Sequence, residues 1–145
     1  MAINEDGMML RKLEEADYQF CKGLLPRLSK SHFLVYLSSG LSYVIEDEGQ
    51  PTGFIFAIHL WEKIPFIAHF IIEEASRGKG KGSAALEEFE LLLRQSGEKM
   101  VLLSTQSDER AQFLYRRLGY KDCGALFLHS TPYEQPAEVF LFKLL

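Results

Sequence analysis

Apolar positions along the chain form a series of short runs and one long stripe. Residues 54–61 (FIFAIHLW) and 66–72 (FIAHFII) are apolar in nearly every position. That is the pattern of central strands covered on both faces. Residues 62–65 are a short connection, so the two runs predict an antiparallel hairpin. Over 83–95 the pattern changes period. Ala85, Phe89 and Leu92, with Leu86 and Leu93, share one stripe, while Glu87, Glu88, Glu90 and Arg94 fall largely off it. This predicts an amphipathic helix from Ser83 to Gln95, ended by Gly97.

The flanks are read in the same way. Residues 8–13 predict a strand, and 14–25 a helix that stops near Pro26. A short helix is expected over 31–37, closed by Gly40, then a strand over 42–46. Asp47-Glu48-Gly49-Gln50-Pro51 is a turn signal. Residues 99–104 predict a strand. Ser107 or Asp108 is placed to cap a helix whose inner face is Ala111, Leu114, Tyr115 and Leu118, with Gly119 closing it. Residues 120–128 and 137–144 predict two last strands around a loop with two prolines at 129–136. The order, hairpins first and then β-α-β-α-β, predicts an α/β (α+β) fold. It is a single domain over 1–145, with one mixed, mostly antiparallel sheet and helices on both faces.

Composition changes this picture little. The chain has 145 residues, 47% hydrophobic and 25% charged, with a net charge of −4. That balance suits one globular domain and argues against a nucleic-acid partner. No apolar run nears the ~20 residues that cross a bilayer, so no membrane partner is expected. Met1–Gly7 is polar and acidic, unlike a leader peptide, and a cytoplasmic location is expected. Cys21 and Cys123 form no CxxC pair and no metal spacing, which predicts two free thiols and no metal site. Cys123 is expected in the core.

The candidate chemistry sits where the second apolar run meets the long helix. Residues 77–82 read Arg-Gly-Lys-Gly-Lys-Gly. Gly78, Gly80 and Gly82 permit a tight turn and close approach to a ligand. Arg77, Lys79 and Lys81 add positive charge, with no acid between Ser76 and Ser83. The helix after them offers unpaired N–H groups, so the junction is an anion site suited to phosphate. A nucleotide P-loop is excluded, because Gly82 is followed directly by Ser83 with no Lys between them. Gly80-x-Gly82-x-x-Ala85 satisfies a dinucleotide fingerprint, but the ribose-binding acid expected on the next strand is missing over Lys99–Thr105.

Arg77-x-x-Gly80-x-Gly82 resembles the Arg/Gln-x-x-Gly-x-Gly/Ala loop of the GNAT N-acyltransferase superfamily. Downstream, Asp108-x-x-Ala111-x-x-x-Tyr115-x-x-x-Gly119-Tyr120 is similar to that superfamily's Asn-x-x-Ala-x-x-x-Tyr-x-x-x-Gly-Phe segment. The resemblance covers about Phe66 to Tyr120. It implies a GNAT-like fold and transfer of an acetyl group from acetyl-CoA to an amine. It implies that Phe70, Ile71 and Ile72 bond the pantetheine arm at a splayed strand end. Arg77, Gly78, Lys79, Gly80, Lys81, Gly82 and Ser83 would hold the pyrophosphate. Asp108 stands where an Asn is usual and would contact the cofactor as an acceptor only.

Such a transfer has two proton problems. An alkyl amine near pKa 10.4 must be presented neutral, at a cost of roughly 4–5 kcal/mol at pH 7. The leaving sulfur needs a proton. The resemblance implies that Tyr115 supplies it; the ring equally suits a helix's inner face. The base is open among His69, His59, Glu73, Glu74 and bound water. Family members with a Glu or His on the fourth strand, or a Glu on the fifth, find Phe66, Ala68 and Leu103 here, which counts against specialised protein N-terminal acetylation. His59 and His69 are expected nearly opposite each other if the hairpin turns about residue 64. The acceptor, a small-molecule or peptide amine, is expected over residues 15–37 and 129–136. Aromatic candidates there are Tyr18, Phe20, Phe33, Tyr36, Trp61 and Tyr133. A monomer or homodimer fits. A CoA-binding regulatory module with reduced catalysis is the alternative.

Overall fold

A computed structural model describes residues 7–145; the reading of Met1–Asp6 lies outside them. The elements run β1 (Met8–Lys12), a 3-10 turn at Glu15–Asp17, α1 (Tyr18–Leu24), α2 (Lys30–Ser39), β2 (Tyr43–Asp47), β3 (Gln50–Leu60), β4 (Ile64–Ile72), a 3-10 turn at Glu74–Ser76, α3 (Lys81–Gln95), β5 (Met100–Gln106), α4 (Ala111–Arg117), β6 (Lys121–Leu126) and β7 (Glu138–Leu144). One sheet holds all seven strands in the order β1-β2-β3-β4-β5-β7-β6. Every pairing is antiparallel except β4 with β5. The mixed sheet expected from sequence is therefore observed.

Strand alternation sorts the core into two layers. Tyr43, Ile45, Ile55 and Ala57 face α3 and α4, where Ala85, Leu86, Phe89, Leu93 and Tyr115 complete one cluster. Val44, Phe54 and Phe56 face the other way and pack with Cys21, Leu25, Leu28 and Phe33 of the α1–α2 region. Neighbouring residues of one strand thus serve opposite layers, as the period of two requires. This is why β3 reads as continuously apolar.

The turns are tighter than the sequence signals. Glu48 and Gly49 both take positive φ, a pair whose twist matches the flanking strands. Asp47 therefore already faces Gln50, and the five-residue turn shrinks to two. Pro51 sits beside a register shift near Ile45 and Glu46, a place where its missing N–H is tolerated. The β3–β4 hairpin turns on Trp61 and Glu62, at φ +54° and +56°. Trp61 is thus exposed on a turn and does not end a strand.

This shifted turn corrects the expected histidine pair. His59 faces Pro65, and His69 faces Phe56. Ala68 is an extra residue on β4, between the Phe56–His69 and Ala57–Ile67 pairs. Ile67 belongs to the α3–α4 layer, whereas His69 lies edge-on to Tyr36 and Phe56 on the α1–α2 side. Without the bulge, residues two apart would share a face. His59 lies instead beside Glu98, at 3.3 Å.

Other expectations need correction. Glu90 is 3% exposed, because Tyr120 and Lys143 reach its two oxygens and satisfy it inside the core. Cys123 is exposed on β6, whose residues all face solvent, and Cys21 is buried; both are free thiols. Among the described residues, no helix is long and apolar enough to cross a membrane.

Candidate functional site

Strands β4 and β5 are paired only at Phe66–Leu102 and Ile67–Leu103. Beyond Ile67 they part, starting at the Ala68 bulge. A cleft of about 450 Å³ occupies the gap, lined by Ala68, His69, Phe70 and Ile71 of β4 and by Ser104, Thr105 and Gln106 of β5. Ala111 and Tyr115 of α4 wall it on one side of the sheet, and Arg27 on the other. The site is thus made by a parallel pair that fails to stay paired.

Tyr115 lies 7% exposed, its ring 5.9 Å from that of Tyr120. Its hydroxyl bonds no described residue. Burial, helped by the charge of Glu109, pushes its pKa up to about 12, so the phenol keeps its proton at neutral pH. His69 moves the other way. Burial, and then the charge of Arg27, lower its pKa from the ordinary value, so its imidazole is neutral at pH 7. The two residues serve opposite sides of the sheet, and both line the cleft in the gap between β4 and β5.

A second cleft of about 250 Å³ lies beside the glycine loop. It is lined by Ile72, Arg77, Gly78, Gly80, Lys81, Gly82, Ser83, Leu114 and Arg117. Gly78, Lys79 and Gly80 take φ of +82°, +60° and +74° in succession. Glycine tolerates this region freely. The turn aims the chain straight into α3, whose Gly80 N-cap carries no side-chain cap. Ala84 N donates to Gly80 O as the first regular helical bond. The N–H groups of Gly82 and Ser83 precede it and have no acceptor within the helix. The helix starts two residues before Ser83, so Lys81 and Gly82 sit in its first turn.

The loop's charge is partly spent internally. Lys81 Nζ lies 3.1 Å from Asp47 Oδ2, and Arg77 Nε donates to Ile72 O at 2.8 Å. Arg77 thereby ties the loop to the end of β4, while Lys79 is exposed. The two clefts abut along β4, where Ile71 lines one and Ile72 the other. They also abut along α4, at Tyr115 and Leu114.

A CoA-type ligand fits this ground. The uncapped α3 N-terminus suits a diphosphate. The open edge of β4 suits an extended amide-bearing arm. Thr105 Oγ1 is buried without a partner, on the wall where that arm would end. Gly82→Asp separates ligand from fold. A Cβ at Gly82 would meet Ile72, Leu114 and Phe70 at 3.8–3.9 Å, ordinary contact. A carboxylate in the first turn of α3 also suits the positive end of the helix, so the fold should keep its stability within about 1 kcal/mol. CoA affinity should fall about tenfold or more, since the carboxylate repels the diphosphate and competes for the same N–H groups. Thermal melting with calorimetric CoA titration reads both; equal CoA affinity in the variant would remove the loop from the binding site.

Several predicted residues stand elsewhere. Asp108 is exposed and lines neither cleft; α4 begins at Ala111 with Arg110 as its N-cap and no side-chain cap. Gln112 Nε2 instead bonds the carbonyls of Ser107 and Glu109. Glu73 accepts from Ser76 past the end of β4, and neither it nor Glu74 lines a cleft described here. Tyr36 reaches a third cleft, of about 250 Å³, with Leu25, Arg27, Leu28, His32 and His69. Tyr18 and Phe33 pack together in the core layer, and Tyr133 is exposed.

Arg27, Ser104, Glu109, Gln135 and Glu138 also line the main cleft; Arg27 and Gln135 fall within the expected acceptor segments, but none of the five was singled out by a sequence motif. Glu138 Oε1 accepts from Ser104 Oγ at 3.0 Å and Oε2 from Gln135 Nε2 at 3.2 Å. Only the cross-strand pairing of β5 with β7 brings these residues together.

Comparison with known proteins agrees with this geometry. No curated protein matches the chain in sequence. In structure it is similar to Ard1 from Thermoplasma volcanium, with TM-score 0.83 and 18% identity over 96% of this chain and 98% of that one. It is similar to the ribosomal-protein-S18-alanine N-acetyltransferase of Escherichia coli, with TM-score 0.80 and 16% identity over 94% and 93%. Arabidopsis thaliana Naa50, in complex with the bisubstrate analogue CoA-Ac-MVNAL, matches with TM-score 0.79 and 14% identity over 94% and 98%. The profile of the acetyltransferase (GNAT) family covers residues 8–120, from β1 through the Gly119-Tyr120 end of the second motif, and the chain belongs to that family.

Proposed function

We propose that this chain is an acetyl-CoA-dependent N-acetyltransferase acting on the primary amine of a peptide or small molecule by direct attack. The observation that carries the reading is the run of open wall from the α3 N-terminus along β4 to Tyr115. Acetyl-CoA supplies the activated acyl group: the amine nitrogen bonds the acyl carbon, the C–S bond breaks, and CoA leaves as a thiolate. Gly82 and Ser83 N–H hold the diphosphate, with Arg77 and Lys79 adding charge. The edge of Phe70, Ile71 and Ile72 aligns the arm toward Tyr115.

Tyr115 donates its proton to the leaving sulfur, a task suited to a phenol kept protonated by burial, and regains one from the nitrogen, which sheds its second proton as the amide forms. His69, neutral at pH 7, accepts the proton of the incoming ammonium. The carboxylate of Glu138, held by neutral donors, attracts that ammonium into the cleft. A peptide α-amine is the easier acceptor, since near pKa 8 it costs only about 1 kcal/mol to present neutral at pH 7. The structural likeness to the ribosomal-protein-S18-alanine N-acetyltransferase and to Naa50 in complex with CoA-Ac-MVNAL supports an α-amine.

A thiol-release assay with acetyl-CoA and a panel of peptides and small amines tests the reading, beside calorimetric titrations of CoA and NAD. Acceptor-dependent release with CoA binding is expected. Tight CoA binding with no release from any acceptor would leave the regulatory module. Binding of NAD in place of CoA would end the acyltransferase reading.

A further inference from the structure

We propose that the acceptor carries a side-chain carboxylate on the residue that bears its reactive amine, and that Arg27 recognises it. This deepens the acetyltransferase reading and rests on it. Arg27 stands in the loop between α1 and α2 and lines both the main cleft and the cleft under α2. No described acid lies within ion-pair distance of it. The other nearby cations are engaged elsewhere. Lys22 Nζ bonds the carbonyls of Pro26 and Leu28, and Lys30 lies over the rings of Tyr18 and Phe33. Tyr18 also donates to Leu28 O, so the loop bearing Arg27 is held in place on both sides.

Among the described residues, the two clefts share His69 and Arg27 and no other. An amine seated at His69, facing the gap toward Tyr115, therefore sends one substituent into the smaller cleft. That cleft has Leu25, Leu28 and the Tyr36 ring as apolar wall, with Arg27 and His32 as its polar groups. One short apolar stem with an anionic head fits such a wall. A single guanidinium offers the planar fork that matches a carboxylate.

The far side of the main cleft has the opposite sign. Glu109 and Glu138 line it. An acceptor that is cationic at the amine and anionic one side chain away is aligned by both ends, acid to ammonium and Arg27 to carboxylate. The reversed placement would set like charges against each other. Two sources share this chemistry: a peptide beginning with Asp or Glu, and a free acidic amino acid.

The test compares matched acceptors. Peptides beginning with Asp, Asn, Glu and Gln, and the four free amino acids, are assayed for thiol release. Binding of each to the protein with CoA present is measured by calorimetry. Wild type should favour acid over amide by about tenfold or more in kcat/KM and in affinity. In Arg27→Gln that ratio should collapse toward one, and in Arg27→Glu it should invert; melting curves verify the fold of both variants. Preference for the peptides or for the free amino acids identifies the source. An acid-to-amide ratio near one in wild type, or the same ratio in all three proteins, would overturn the proposal. If no amine supports release, the acetyltransferase reading fails, while the binding ratios still decide whether Arg27 selects the carboxylate.

Discussion

Tyr115→Phe is expected to lower turnover by about 10²–10⁴-fold, the usual worth of a positioned acid or base, while CoA affinity and melting temperature stay near wild type. The asymmetry follows from what the hydroxyl touches. It bonds no described residue, so its removal strands no buried partner. The ring contributes to the α3–α4 layer and packs against Tyr120, and Phe keeps that contact. What is lost is a proton donor on the wall of the main cleft.

The pH profile sharpens the test. Burial raises the Tyr115 pKa to about 12. The donor form therefore persists, and is lost only as pH climbs through that value. Wild-type kcat should show no alkaline fall up to about pH 10, well below the raised pKa. An acid with an unshifted phenol would begin to fail there. Steady-state thiol release across pH 6–10 for both proteins reads the two effects. Turnover in the variant within twofold of wild type would remove Tyr115 from the chemistry.

The parts of this site that were legible in sequence are those encoded by local backbone needs. Gly78 and Gly80 sit where φ must be positive, and a helix must follow; any reader of turns finds them. Tyr115 follows from a helix of seven residues with one buried face. Most strands were legible because each carries its own apolar run; β6 has none and lies exposed along its length. The bulge at Ala68 was not. It depends on β3 and β4 slipping by one residue, and nothing in FIAHFII marks which residue is surplus. Yet that slip turns His69 away from Ile67 and toward Tyr36. Arg27 and Glu138 were hidden for a related reason. They reach the cleft through the α1–α2 loop and the last strand, so their neighbours are remote in sequence. Asp108 erred the other way, because a cap pattern is read from spacing alone, while the helix starts three residues later with other bonds serving its turn.

The same limit hid Glu90, whose replacement should be the costliest single change to the fold. Its carboxylate is enclosed on α3, accepts from Tyr120 at 2.8 Å and pairs with Lys143 Nζ at 2.8 Å. Tyr120 follows α4 and Lys143 lies on β7, so one side chain joins two helices to the sheet. Glu90→Ala leaves a phenol and an ammonium without their acceptor. Removing one partner of a buried pair costs about 3–5 kcal/mol. Lys143 is partly exposed and recovers some hydration, which favours the lower end, about 3 kcal/mol. For a chain of this length that lowers the melting temperature by on the order of 10 °C. The triple variant Glu90→Leu, Lys143→Met and Tyr120→Phe should regain most of the loss, because it removes both charges and the stranded hydroxyl together. Neither residue lines a cleft described here, so folded Glu90→Ala should still bind CoA. A melting temperature within about 3 °C of wild type for Glu90→Ala, equivalent to roughly 1 kcal/mol, would show that the aromatic end of the second motif is held by packing alone.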